Sequence, residues 1–209
     1  MIVADRVATT YPAYTPLLVF HFQTEPVPAG LFFRSQVNTS VVYMQNLLPN
    51  SQATMVPGYQ VAGQTIDQSW GELVRNTFEE VPYGPYRLEV MPGAPALDNW
   101  FLTAFVMQGD MDPPPSEGLL VVGEGMRGVV RGSAQVMFDV NPGDGADVTQ
   151  AAFTVGEGVE YVLATGLRPG AAYAIQAEGR LNETLTATDA GLLVIGDLQP
   201  GLLRLTAEE

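Results

Sequence analysis

His21 is the only histidine of the chain and the side chain best suited to move protons near neutral pH. It stands in Leu17-Leu18-Val19-Phe20-His21-Phe22, where strand alternation puts it with Val19 and opposite Phe20 and Phe22. Catalysis through His21 would need an orienting carboxylate and a nucleophile within reach, and Asp5 is the nearest acid on a predicted strand. A lone histidine with no companion motif belongs more simply to the outer face of a strand. No catalytic residue is expected, and the chain is taken as non-enzymatic.

Three further constellations have chemical meaning. Trp70 and Trp100 are the two indoles that could stack on the apolar face of a sugar ring, and His21 could contact the same ligand. Trp100 lies in an apolar strand context that favours the core, whereas Trp70 stands in polar, glycine-containing sequence. The stretch Asp139-Val140-Asn141-Pro142-Gly143-Asp144-Gly145-Ala146-Asp147 offers four oxygen-bearing side chains, Asp139, Asn141, Asp144 and Asp147, as a loose calcium-loop match. Gly143 stands where an EF-hand needs a ligand at its fifth position, and Gln150 replaces the bidentate glutamate, so an acidic surface turn without metal is expected. Gly123-Glu124-Gly125-Met126-Arg127-Gly128 has dinucleotide-binding spacing, but the chain continues as the strand-like Val129 to Phe138 where a helix N-terminus must receive the phosphates. These glycines are read as a hairpin turn, and no cofactor is expected. Asn38-Thr39-Ser40 and Asn182-Glu183-Thr184 match glycosylation sequons by pattern alone.

The elements that must position these residues are strands. Of 209 residues, 46% are hydrophobic and 15% charged, enough to bury a core, and 22 Gly and 16 Pro punctuate short apolar runs. Runs bounded by turn residues fall at 2–8, 16–23, 31–36, 40–48, 53–57, 86–91 and 100–108. The second half adds 118–122, 128–140, 151–155, 160–165, 172–178, 183–188, 192–196 and 202–206. Several alternate with period two, as where Tyr86, Leu88 and Val90 share one face and Arg87 and Glu89 the other. Only Ser69 to Asn76, with Ser69 and Glu72 in capping-box spacing, resembles a short helix. The expected fold is all-β, an antiparallel β-sandwich with a smaller Ig-like C-terminal part. The strand-incompatible Asp110-Met111-Asp112-Pro113-Pro114-Pro115-Ser116 separates residues 1–112 from 117–209, either as a linker or as a rigid crossing within one continuous sandwich.

Charge and composition exclude several functions. All nine basic residues are arginines, scattered from Arg6 to Arg204, against 23 acids, for a net charge of −14 that repels nucleic acid. Zero cysteines exclude a disulfide framework, a thiol nucleophile and thiolate metal sites. No apolar run reaches the ~18 residues of a membrane span. The opening Met1 to Arg6 has no basic-then-apolar leader pattern.

Several segments resemble the C-terminal β-sandwich of heparinase II/III-like polysaccharide lyases. They are Ala4-Asp5-Arg6-Val7, Phe20-His21-Phe22 with Glu25-Pro26, Asn46-Leu47-Leu48-Pro49, Gly84 to Pro92 followed by Phe101-Leu102, and Ala187 to Leu193. The resemblance implies a sandwich whose family members cleave uronic-acid polysaccharides, with catalytic residues largely on a preceding helical toroid. No catalytic or metal residue carries over, because the toroid and the family's His-x-His pattern are missing here; His21 and Asp5-Arg6 fall at positions for which a structural role is implied. The expected function is therefore a non-catalytic accessory or scaffold module, carbohydrate-associated. The alternative is a self-assembling structural protein of an extracellular surface or virion. The expected partners are a polysaccharide, another protein chain or a second copy, and an extracellular or particle-surface location fits either reading.

Overall fold

The computed structural model describes the chain apart from residues 12, 50–52, 58, 62–63, 67–85, 95, 142–146, 179–181 and 209. The helix-like segment from Ser69 to Asn76 lies outside the described residues. Among those described there is no helix, and therefore none long and apolar enough to cross a membrane. The fold is all-β, built of several mainly antiparallel sheets. It divides into two compact units, Met1–Pro115 and Ser116–Glu209.

The first unit contains β1 (Ile2–Ala8), β2 (Leu18–Phe22), β3 (Val27–Ala29), β4 (Phe32–Val37), β5 (Ser40–Leu48), β6 (Thr54–Pro57), β7 (Tyr59–Val61), β8 (Gln64–Ile66), β9 (Tyr86–Val90) and β10 (Asp98–Gly109). A five-stranded sheet in the order β1-β10-β5-β4-β3 accompanies a three-stranded sheet β2-β9-β6 and a β7-β8 pair. Alternation turns Leu18, Phe20 and Phe22 of β2 and Tyr86, Leu88 and Val90 of β9 into one core with Met44, Phe101 and Phe105 from the large sheet. Phe20 and Phe105 meet edge to face at 5.0 Å.

The large sheet is apolar on its other face as well. Phe32, Val41 and Tyr43 cluster there with Val106, and Trp100, Leu102 and Ala104 are buried. A strand apolar on both faces reads as a continuous run, which is why Trp100 to Val106 shows no alternation. Thr103 is the exception within that run. It is completely buried between Phe101 and Phe105, opposite Val3, and its hydroxyl has no hydrogen-bond partner among the described residues.

The second unit contains β11 (Leu119–Val122), β12 (Met126–Arg131), β13 (Ala134–Asp139), β14 (Gln150–Val155), β15 (Tyr161–Ala164), β16 (Ala172–Ala177), β17 (Glu183–Thr186), β18 (Leu193–Gly196) and β19 (Gly201–Ala207). Its sheets run β11-β12-β13-β15-β18 and β14-β19-β16-β17. Met126, Met137, Val162 and Ile195 of the first share a core with Phe153, Tyr173, Ile175, Leu203 and Leu205 of the second. Two sequence expectations change here. The single run expected over 128–140 is the hairpin β12–β13, because Gly132 at φ 58° turns the chain and Arg131 pairs with Ala134. The antiparallel expectation also has an exception, since β13 and β15 pair in parallel.

Two buried polar side chains tie backbone segments of this unit together, Gln135 between the sheets and Tyr173 at one end of the β14-β19-β16-β17 sheet. Gln135 is fully buried; its amide donates to the carbonyl of Thr154 at 3.0 Å and its oxygen accepts from the N–H of Gly156 at 3.2 Å. Tyr173, also fully buried, donates its hydroxyl proton to the carbonyl of Val148 at 2.6 Å and accepts from the N–H of Arg168 at 2.8 Å. This is the geometry of a tyrosine corner, and Leu167-Arg168-Pro169-Gly170 is the turn that it closes. Burial raises the Tyr173 phenol above its ordinary value, opposed by the Arg168 hydrogen bond and charge and reinforced by Asp147.

Replacing Tyr173 with Phe leaves a buried carbonyl and N–H unpaired, so it should cost the unit about 1–3 kcal/mol in denaturant unfolding. The unfolded phenol ionises at about 10 while the folded one keeps its proton to higher pH, so wild-type stability should fall as pH rises past about 10. Tyr173→Phe should lessen that alkaline loss, which melting curves across the alkaline range would show. Conversely, Thr103→Val removes an unpartnered buried hydroxyl at constant shape and should be neutral or up to about 1 kcal/mol stabilising in the same unfolding assay.

Candidate functional site

His21 is exposed on β2, facing away from the Leu18, Phe20 and Phe22 side, and stands opposite Arg87 of β9. Arg87 pairs with Glu89 on the same face. Asp5 lies on β1 of the other sheet, opposite Phe101, so the two groups first considered for a relay belong to different sheets and the His21 side chain points outward. Trp100 is only 8% exposed and lies opposite Arg6, whose guanidinium forms a two-pronged pair with Asp98 at 2.8 and 2.9 Å. Its ring supplies buried area. Trp70 lies outside the described residues.

The oxygen-rich loop of the second unit is shown in part, with Asp144 outside the described residues. Asp139, Asn141 and Asp147 line a shallow cleft of about 200 Å³ with Gly125, Thr149 and Gln150. Each described acid there is engaged within the protein. Asp139 accepts the N–H of Asn141 at 2.8 Å, closing an Asx turn, and Asp147 lies 3.8 Å from Arg168. Among the described residues, no group of three or more acids or histidines is arranged to hold a metal ion.

A different surface gathers polar groups that the sequence left scattered. In β14 and β19, alternation sends Ala151, Phe153, Leu203 and Leu205 into the core, so Gln150, Ala152, Thr154, Arg204 and Thr206 face outward. Register aligns these residues in rows across the strands. One row runs Glu124, Ala152, Arg204, Gln176, and the next runs Gln150, Thr206, Ala174, Thr184. The face carries hydroxyls, amides and methyls together with the exposed Leu202, the Arg204 guanidinium and the carboxylates of Glu124 and Glu208, the latter accepting from the Thr184 hydroxyl at 2.9 Å.

Glu124 reaches that row because of its neighbours. Its N–H and carbonyl bond to the carbonyl and N–H of Ala152 at 2.7 and 3.1 Å, a bridge outside the named strands. A Cβ at Gly123 would stand 2.5 Å from the Ala152 carbonyl oxygen, and Gly125 has φ 73° with the Gln150 carbonyl 2.9 Å from where its Cβ would be. The dinucleotide-like spacing is therefore a packing requirement of a β hairpin that has to touch β14. Neither Glu124 nor Arg204 was singled out by the sequence; the pairing that aligns them across 80 residues leaves no local signal.

Glu124 and Arg204 flank the methyl of Ala152, with their backbones about 10 Å apart from two interstrand steps. Between them, with Gln150 and Thr206, lies a cleft of about 120 Å³. Arg6, Arg34, Arg87, Arg131 and Arg168 each hold an oxygen partner. Arg204, which is exposed, holds none among the described residues.

The protein is all-β, and the outward face of β14-β19-β16-β17 is mainly polar with Leu202 exposed on it. No family model matches the chain, and no curated protein matches it in sequence. Substituting Gly125 with Ala should cost about 1–2 kcal/mol from the left-handed backbone alone, before the crowding against Gln150 is counted. The outcome to check is a lowered unfolding midpoint.

Proposed function

We propose that the chain is a non-catalytic β-sandwich accessory module that holds a polyhydroxylated ligand, a polysaccharide, on the outer face of β14-β19-β16-β17. The observation that carries this reading is the two aligned rows, Glu124-Ala152-Arg204-Gln176 and Gln150-Thr206-Ala174-Thr184, on a sheet whose other face is core. Strand alternation on a paired backbone presents their donors and acceptors at fixed spacing. The likeness of several segments to the C-terminal sandwich of heparinase II/III-like lyases agrees with such a role. The net charge of −14 favours neutral over uronic-acid polymers. Affinity electrophoresis in gels containing mannan, laminarin or xylan should retard the protein, whereas alginate should not. Unaltered migration in every neutral gel would overturn the proposal.

Self-assembly is favoured by a separate observation. β11 is an edge strand with Leu119, Leu120 and Val122 exposed, and register places Leu120 in a row with Val129, Val136, Leu163 and Val194 across the sheet. An exposed apolar edge is a template for pairing with another chain. Under this reading, light scattering after size exclusion shows an oligomer that Leu120→Lys converts to monomer; a monomeric wild type contradicts it.

A further inference from the structure

We infer that the cleft between Glu124 and Arg204 is a recognition subsite for a neutral sugar residue with adjacent free hydroxyls; this rests on the platform reading and names its ligand class and anchor residues. The walls of the cleft differ in kind. A carboxylate only accepts hydrogen bonds and a guanidinium only donates them, and a hydroxyl group answers both. Adjacent hydroxyls on one ring would give a proton to Glu124 and receive two from the guanidinium fork of Arg204. Gln150 and Thr206 border the same cleft with an amide and a hydroxyl. Ala152 contributes only a methyl between the charged walls, so a ring can settle against the sheet where a larger side chain would fill the space.

The local charges also argue for this class. Glu124 and Arg204 sum to zero, so the cleft offers an anion no net attraction, and the surrounding acid excess repels it. The two groups form no ion pair with each other among the described residues, and the Ala152 row position keeps their backbones apart. Glu124 is held by the Ala152 bridge and Arg204 by strands on both sides, so both charged side chains leave a backbone that is already fixed.

The test compares wild type, Arg204→Met, Glu124→Gln and Arg168→Met by affinity electrophoresis and by titration with mannan, laminarin and xylan. Arg168→Met removes the same charge from the same unit away from the cleft. Melting curves confirm that each variant is folded. The expected result is binding to a neutral polymer that high salt leaves in place, weakened about tenfold or more by Arg204→Met, weakened by Glu124→Gln, and unchanged by Arg168→Met. If wild type binds but Arg204→Met behaves like Arg168→Met, the subsite is wrong while the platform reading stands. Absence of binding to every neutral polymer overturns both. Binding to alginate that depends on Arg204 and disappears in salt, or competition by glycine in place of free mannose, would overturn the assignment to neutral hydroxyls.

Discussion

The hydroxyl of Tyr173 is the fixed point of the second unit. One of its bonds holds the carbonyl of Val148, two residues before β14 begins, and the other holds the N–H of Arg168, in the turn that leads to β16. β14 and β16 are the two neighbours of β19. Tying their approaches to one buried phenol fixes which residue of each stands beside Arg204, namely Ala152 and Gln176. A slip of one residue would turn every outward side chain into the core, so the polar face exists only in this register. Gln135 does complementary work from the opposite sheet, meeting the backbone of β14 at its far end.

The first unit is built by a different rule. Its large sheet is apolar on both faces, and β10, its second strand, is buried along most of its length. Polar groups there satisfy the edges: Arg6 with Asp98 at one margin, Thr24 with Ser35 and the carbonyl of Gln36 near another. The arginines of the described chain serve mainly as such internal partners. Arg204 of the second unit differs from them in having no oxygen partner among the described residues.

Much of this architecture was legible in the sequence, because half-buried strands state their faces through alternation. Residues 2–8 and 40–48 are β1 and β5 as expected, and Tyr86, Leu88 and Val90 do share the buried face. The β12–β13 hairpin carries its own signal, since Gly132-Ser133 between two strand-like runs is a two-residue hairpin pair, and reading 128–140 as one run passed over it. β3 was missed since Pro28 inside three residues argues against a strand, and it is tolerated at this sheet edge. The residues of the proposed subsite were far less legible. Glu124 was concealed inside a misleading glycine pattern and Arg204 looked like one more scattered arginine, because what unites them is cross-strand register between residues distant in the chain.

We propose that the outer face of β14-β19-β16-β17 receives a neutral glycan. The most direct measurement is a two-dimensional amide NMR titration of the intact chain with a manno- or gluco-oligosaccharide. Shift changes should be confined to Glu124, Gln150, Ala152, Arg204, Thr206 and their row neighbours, with the amides around His21 unmoved. Changes centred on β2 and β9 instead, or a spectrum indifferent to every neutral oligosaccharide, would contradict it.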